Sequence, residues 1–125
     1  MEPTEVVRRF VDQAVNGGRF EVVDELFTPD MTAWVRDWFG SFRASFPDMH
    51  MRLVELVAEG DTVVGRFACS ATHTGEWCGH PPTGRRFEDV DEVYFFTFAG
   101  ERISGVWGVE DTLGRYRQLG LDPSA

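Results

Sequence analysis

The segment Thr72–Phe87 reads THTGEWCGHPPTGRRF and gathers two histidines, a cysteine, three glycines and a Pro-Pro pair. Three readings compete for it. His73, Cys78 and His80 are zinc-ligand types, but their His-x-x-x-x-Cys-x-His spacing matches no common closed site. A fourth ligand would have to come from Glu76 or from elsewhere, and Pro81-Pro82 stiffens the loop, so no metal is expected. Gly75, Gly79 and Gly84 have neither P-loop nor dinucleotide spacing, and a strand rather than a helix follows them. What remains is a connection between two long strands, with glycines at positive-φ positions and prolines holding an extended course. Trp77 and His80 would project from it toward the end of a sheet.

Working outward, the strand texture begins at Met49. His50–Ala58, Thr62–Thr74, Phe87–Phe98 and Arg102–Val109 read as four strands, with turns at Glu59-Gly60-Asp61 and Ala99-Gly100-Glu101. Helical spacing dominates before them. Val6, Val7, Phe10, Val11, Ala14 and Val15 form one stripe, with Thr4 as candidate cap and Asn16-Gly17-Gly18 as terminator. A shorter helix fits Phe20–Phe27. A third fits Thr32–Phe46, with Trp34, Trp38 and Phe42 in one row, and stops before Pro47-Asp48. Asp111 is placed to cap a last helix over Thr112–Leu119, closed by Gly120. Strands grouped together rather than alternating with helices predict an α+β domain with a mostly antiparallel sheet, curled around the apolar faces of three N-terminal helices.

The chain has 125 residues, enough for one domain spanning 1–125 and too few for two. A formal net charge of −9 argues against nucleic-acid or anionic-membrane surfaces, which need clustered positive charge. No run approaches the ~20 apolar residues that span a bilayer. The N-terminus has no apolar core of the secretory kind. Cys69 and Cys78 are therefore expected as reduced thiols in a cytoplasmic protein, although a single bridge stays open. Eleven Phe and four Trp point to an aromatic core or cavity, and to a hydrophobic small molecule as the natural ligand.

The run from His73-Thr74-Gly75 through Gly79, Pro81-Pro82-Thr83-Gly84 and Arg85-Arg86 resembles the signature loop of the SnoaL-like polyketide cyclases, within the NTF2-like group. Thr28-Pro29-Asp30, Ser45-Phe46-Pro47-Asp48, Ala58-Glu59-Gly60-Asp61, Asp111-Thr112-Leu113-Gly114 and Arg117-Gln118-Leu119-Gly120 are similar to that family in the same order. The resemblance spans residues 4–121. It implies a cone built from a curved antiparallel sheet wrapped by helices, often a homodimer through the outer sheet face. It also implies ring closure by an intramolecular aldol step without metal or cofactor, and relatives that isomerise, hydroxylate or open epoxides.

The resemblance stops at the family's proton-transfer pair. On the last strand Val106 stands where the family has histidine and Gly108 where it has aspartate, and neither moves a proton. A polar position of the preceding strand matches Tyr94. The connection between Asp30 and Trp34 is shorter than the family's, so the pocket mouth is either wider or filled by Trp34 and Trp38. Alternation along the third strand puts Glu92, Tyr94, Phe96 and Phe98 on one face, and Asp89 and Asp91 on the other. If that face is the cavity, Glu92 is the candidate base, with its pKa raised by an apolar wall, and Tyr94 an oxyanion donor. Alternatively Glu92 is a structural partner of Arg66 or Arg102, and Tyr94 a core aromatic. Trp34, Trp38, His73, Trp77, Phe96, Val106 and Gly108 are the candidate substrate contacts. His73 is either at the cavity rim or a hydrogen-bonded structural residue, and His50 is expected in solvent. Trp107 should point to the outer sheet face and a dimer contact. The expected function is a cofactor-independent cyclase or isomerase of hydrophobic polyketide-type substrates. The alternative is a non-catalytic binding protein that kept the cone and lost the pair.

Overall fold

The structure is a computed structural model that describes residues 1–124. Its frame is a four-stranded antiparallel sheet in the order β1 (His50–Glu59), β2 (Thr62–Thr72), β3 (Arg86–Ala99) and β4 (Arg102–Glu110). Neighbours in sequence are neighbours in the sheet, as short turns at Gly60 and Gly100 dictate; both glycines hold the positive φ those turns require. Each strand pair carries a register shift, at Leu53/Glu55, Cys69/Ala71 and Thr97/Phe98. Such bulges bend and twist the bulged strand, and three of them curl this sheet over its inner face. Asp89 sits at the middle one with φ 51°, its N–H donating to the Ser70 hydroxyl at 3.0 Å.

Four α-helical segments complete the fold: α1 (Pro3–Arg9), α2 (Val23–Leu26), α3 (Thr32–Ser45) and α4 (Thr112–Gln118). Helix α1 begins two residues earlier than expected, because Pro3 occupies its first turn with Glu2 at the cap position. Thr4 therefore lies inside the helix and caps nothing. The helix widens into a π-helical stretch over Phe10–Val15. The second expected helix is divided into a 3-10 turn, Phe20–Val22, and α2. Phe27 leaves it in an extended conformation and forms a parallel bridge with Ile103. No helix among the described residues is long and apolar enough to cross a membrane.

The core lies between these helices and the sheet's inner face. Phe10 meets Phe27, Phe39 and Phe96 edge-on at centroid distances of 4.9, 5.3 and 6.2 Å, the arrangement favoured by ring quadrupoles. Strand β3 supplies the alternation anticipated from sequence: Glu92, Tyr94, Phe96 and Phe98 are buried, while Asp91 and Phe95 face out.

The segment that joins β2 to β3 is a strand connection. His73 N–H donates to the Arg85 carbonyl at 2.8 Å, and Gly75 N–H to the Ser45 carbonyl at 3.0 Å. A side chain at Gly75 would collide with the Ala44 carbonyl, so the loop lies directly on the end of α3. The three candidate metal ligands diverge. His73 is fully buried, its Nδ1 accepting the Thr83 N–H at 3.2 Å; Cys78 is exposed; His80 stacks edge-on against Tyr116 at 5.6 Å. Cys69 and Cys78 are both free thiols.

Helix α4 is fastened by the expected cap, Asp111 Oδ1 accepting the Gly114 N–H at 2.9 Å. Replacing Asp111 by Ala should cost about 1 kcal/mol of folding stability, as removal of an N-cap does. Urea denaturation checks this, with Asp122→Ala, on the exposed C-terminal segment, as the reference.

Candidate functional site

Antiparallel pairing of β3 with β4 sets Glu92 opposite Glu110, Tyr94 opposite Gly108 and Phe96 opposite Val106. Two carboxylates directly across a strand pair repel each other. A third group answers that repulsion. Arg115, in the first turns of α4, is completely buried and donates from Nη2 to Glu92 Oε2 at 2.7 Å and from Nη1 to Glu110 Oε1 at 2.7 Å. Its guanidinium lies over the rings of Phe87, Phe42 and Trp77 at 4.8, 5.1 and 5.9 Å, a setting that suits a weakly hydrated, planar cation.

Tyr94 joins the remaining oxygens. Its hydroxyl donates to Glu92 Oε1 at 2.6 Å, and the same oxygen lies 3.2 Å from Glu110 Oε2. One hydroxyl hydrogen cannot serve both carboxylates at once. The cluster carries two potential negative charges against one fixed positive charge, so a single additional proton neutralises it. Burial pushes the Glu92 carboxyl above the ordinary carboxylate range; Arg115 pulls it back and Glu110 adds to the rise. Burial and the same carboxylates raise the Tyr94 phenol as well, which keeps it protonated.

Gly108 makes this geometry possible. A Cβ there would overlap the ring of Tyr94, whose side chain occupies the space a residue at 108 would otherwise fill. The two carboxylates differ in access: the Glu92 side chain is 5% exposed and that of Glu110 32%. Beneath them, between Trp38, Phe39, Phe42 and Met51, only about 10 Å³ is free, room for about one water. Outside, a groove of about 320 Å³ runs along Trp34, Trp38, Tyr94, Val106, Trp107, Gly108 and Glu110.

The candidates from sequence divide accordingly. Glu92, Tyr94, Val106 and Gly108 share the inner face, and Trp34 and Trp38 line the groove from α3, their rings 5.0 Å apart. Phe96 is packed in the core against Phe10, and His73 is held by Thr83 behind Phe46; neither borders the groove. Trp77 stacks on Tyr116 at 4.9 Å and borders a separate groove. Arg66 pairs with Asp91 on the outer face at 3.0 Å, so the arginine partner of Glu92 is Arg115, not Arg66 or Arg102. Sequence reasoning missed Glu110 and Arg115. The first was accessible, since alternation from Val106 and Gly108 places it on the same face. The second carried no signal, because a polar residue on a short helix reads as solvent-facing.

A family model for SnoaL-like polyketide cyclases matches residues 5–119. The chain is 30% identical over 118 residues to the aklanonic acid methyl ester cyclase DnrD of Streptomyces peucetius, covering 94% of this chain and 79% of that one. Among solved structures it is similar to TsrD from Streptomyces laurentii, with TM-score 0.86, 27% identity and coverage of 94% of this chain and 93% of the other. It is also similar to IdmH from Streptomyces antibioticus, with TM-score 0.84, 26% identity and coverage of 97% and 100%.

The raised Glu92 carboxyl has a signed consequence for stability. A carboxyl whose folded pKa exceeds its unfolded value, about 4.3, stabilises the fold below that pH. The contribution is lost as pH rises through the folded value. The difference in unfolding free energy between the native chain and Glu92→Gln should therefore shift against the native chain as pH rises above about 4.3. Chemical denaturation of both across pH 4 to 8 checks it, and a flat difference would contradict the raised value.

Proposed function

Because the chain belongs to the SnoaL-like polyketide cyclase family, we propose that it is a cofactor-independent cyclase or isomerase of hydrophobic polyketide-type substrates, with proton transfer by Glu92, Tyr94 and Glu110. The observation that carries this reading is the Tyr94 hydroxyl, poised between one buried carboxylate and one that faces a groove. The family's proton-transfer pair is replaced at Val106 and Gly108, and the carboxylate function is taken up two residues further along the same strand face.

In this scheme the cluster's one shared proton starts on the Glu92 side of Tyr94, and Glu110, the carboxylate that borders the groove, acts as the base. A planar substrate lies in the groove against Trp34 and Trp38. Glu110 takes a proton from the carbon α to a carbonyl, and the C–H electron pair becomes that of the enolate. The enolate carbon bonds to a second carbonyl carbon of the same molecule, whose π pair moves onto oxygen. Tyr94 donates its proton to that alkoxide while taking the one held by Glu92. The proton on Glu110 then returns across Tyr94 to Glu92, and the site is restored with no other reactant consumed. Arg115 keeps both carboxylates in register throughout. An acid–base pair of this kind contributes roughly 10²–10⁴-fold.

Aklanonic acid methyl ester is the first substrate to try, since a relative is named for it. Glu92→Gln and Glu110→Gln should each lower kcat by about 10²-fold or more with little change in KM, and Tyr94→Phe should do the same. An unchanged kcat in Glu92→Gln removes Glu92 from the mechanism.

A second reading, a non-catalytic binding protein, is favoured by the nearly filled space beneath the cluster and by the inert residues Val106 and Gly108. It predicts saturable ligand binding with no turnover in the native chain. Regaining chemistry by Val106→His with Gly108→Asp would then also require a smaller residue at Tyr94, whose ring occupies the space.

We further propose that the outer sheet face packs against a second copy. Val57, Val64, Phe95 and Trp107 are paired in one row across all four strands, with Val57, Phe95 and Trp107 exposed. Sedimentation should find a dimer that Phe95→Asp converts to monomer; a native monomer at all accessible concentrations contradicts the proposal.

A further inference from the structure

Trp38 borders every open space around the carboxylate cluster. It lines the small void beneath the carboxylates, the groove of about 320 Å³ on the Trp34 side, and a second groove of about 580 Å³. The second groove runs between α3, at Ser41, Phe42 and Ser45, and the β2–β3 connection, at Glu76, Trp77 and Cys78. Glu110 is the one other residue common to all three. Both grooves therefore border the same carboxylate and the same indole ring.

That ring is only partly fixed. It is half-buried, tilted against Trp34 at 5.0 Å and Phe39 at 4.4 Å, and edge-on to Tyr94 at 5.1 Å. No hydrogen bond ties the side chain among the described residues. The grooves also differ in chemistry. The first presents aromatic and aliphatic surface apart from the cluster itself, whereas the second adds the Ser41 hydroxyl and the Glu76 carboxylate. Neither is lined by lysine, arginine or histidine, so an anionic ligand finds no partner in either and meets Glu110 in both.

We propose that Trp38 is the specificity-determining residue of this site, a partition that restricts the native protein to compact, uncharged ring systems in the Trp34 groove. Without the indole, the two grooves join across Glu110 into one channel that holds longer fused-ring ligands. The inference rests on the proton-transfer reading only in taking Glu110 as the reacting end; the partition itself concerns which molecules fit.

The test is a binding ladder that asks for no turnover. Equilibrium dialysis with neutral ketones of two, three and four fused rings (tetralone, anthrone and naphthacenequinone) is run on the native protein, Trp38→Ala and Trp38→Phe. The native protein should bind the two-ring ketone most tightly. Trp38→Ala should tighten the four-ring ligand by ten-fold or more and weaken the two-ring one, with Trp38→Phe between. Ser41→Phe, which fills the second groove, should reverse the gain in the Trp38→Ala background and leave the native ladder unaltered. Trp38→Phe keeps an aromatic ring on α3, so it decides the matter if Trp38→Ala does not fold. The proposal is overturned by a native protein that binds all three ketones equally or none, or by variants that keep the native order. A separate turnover measurement on Glu110→Gln, set beside the dialysis ladder, separates the two ideas. A lost kcat with an unmoved Trp38 ladder removes the partition and leaves the chemistry, and the converse result removes the chemistry alone.

Discussion

The guanidinium of Arg115 is the interaction on which the site depends. Two carboxylates placed opposite each other on β3 and β4 would not share a buried wall without a cation between them, and the cation that reaches both among the described residues arrives on a different element, α4. Removing one member of such a buried set leaves an uncompensated charge, which is far costlier than the net worth of the set itself. The three rings around the guanidinium leave it no solvent to fall back on. The position of α4 is consequently tied to the site's electrostatics, and the Asp111 cap and the Gln118 contacts with the Glu88 backbone serve to hold that helix against the sheet.

Around this ion set, space is shared between side chains of two neighbouring strands. Gly108 gives up a side chain on the inner face, and Tyr94 fills the room with a ring and a hydroxyl. The hydroxyl is the more versatile group there, since it both donates and accepts. It connects a carboxyl whose pKa burial raises with one that remains partly open to solvent. Two acids of the same kind in unlike surroundings are the usual means by which one site holds a proton and also accepts one.

The sheet's two faces carry different duties. Three bulges curl the inner face around aromatic packing, so that almost no free volume remains under the cluster and the accessible space lies at the rim, near Trp38 and Glu110. The outer face keeps an apolar row across all four strands in an acidic protein, with ion pairs such as Arg66–Asp91 and Arg52–Asp89 beside it.

Much of this was legible in the linear sequence. Period-two alternation on β3 put Glu92 and Tyr94 on one common face, turn glycines at positions 60 and 100 joined the strands in order, and the Asp111 cap located the last helix. Those features are local, governed by neighbours within a few residues, and a strand's alternation or a cap's hydrogen bond leaves its mark directly in the residues concerned. The N-terminal cap was misread because Pro3 and Thr4 both suit a helix start. What only the tertiary structure decided was pairing between distant segments. Nothing near Glu92 in sequence announces Arg115, 23 residues away, or that a glycine at 108 exists for the sake of a tyrosine on the neighbouring strand. Charge compensation and volume exchange are satisfied in space, between whichever side chains the fold brings within a few ångströms, and a single sequence does not record which those are.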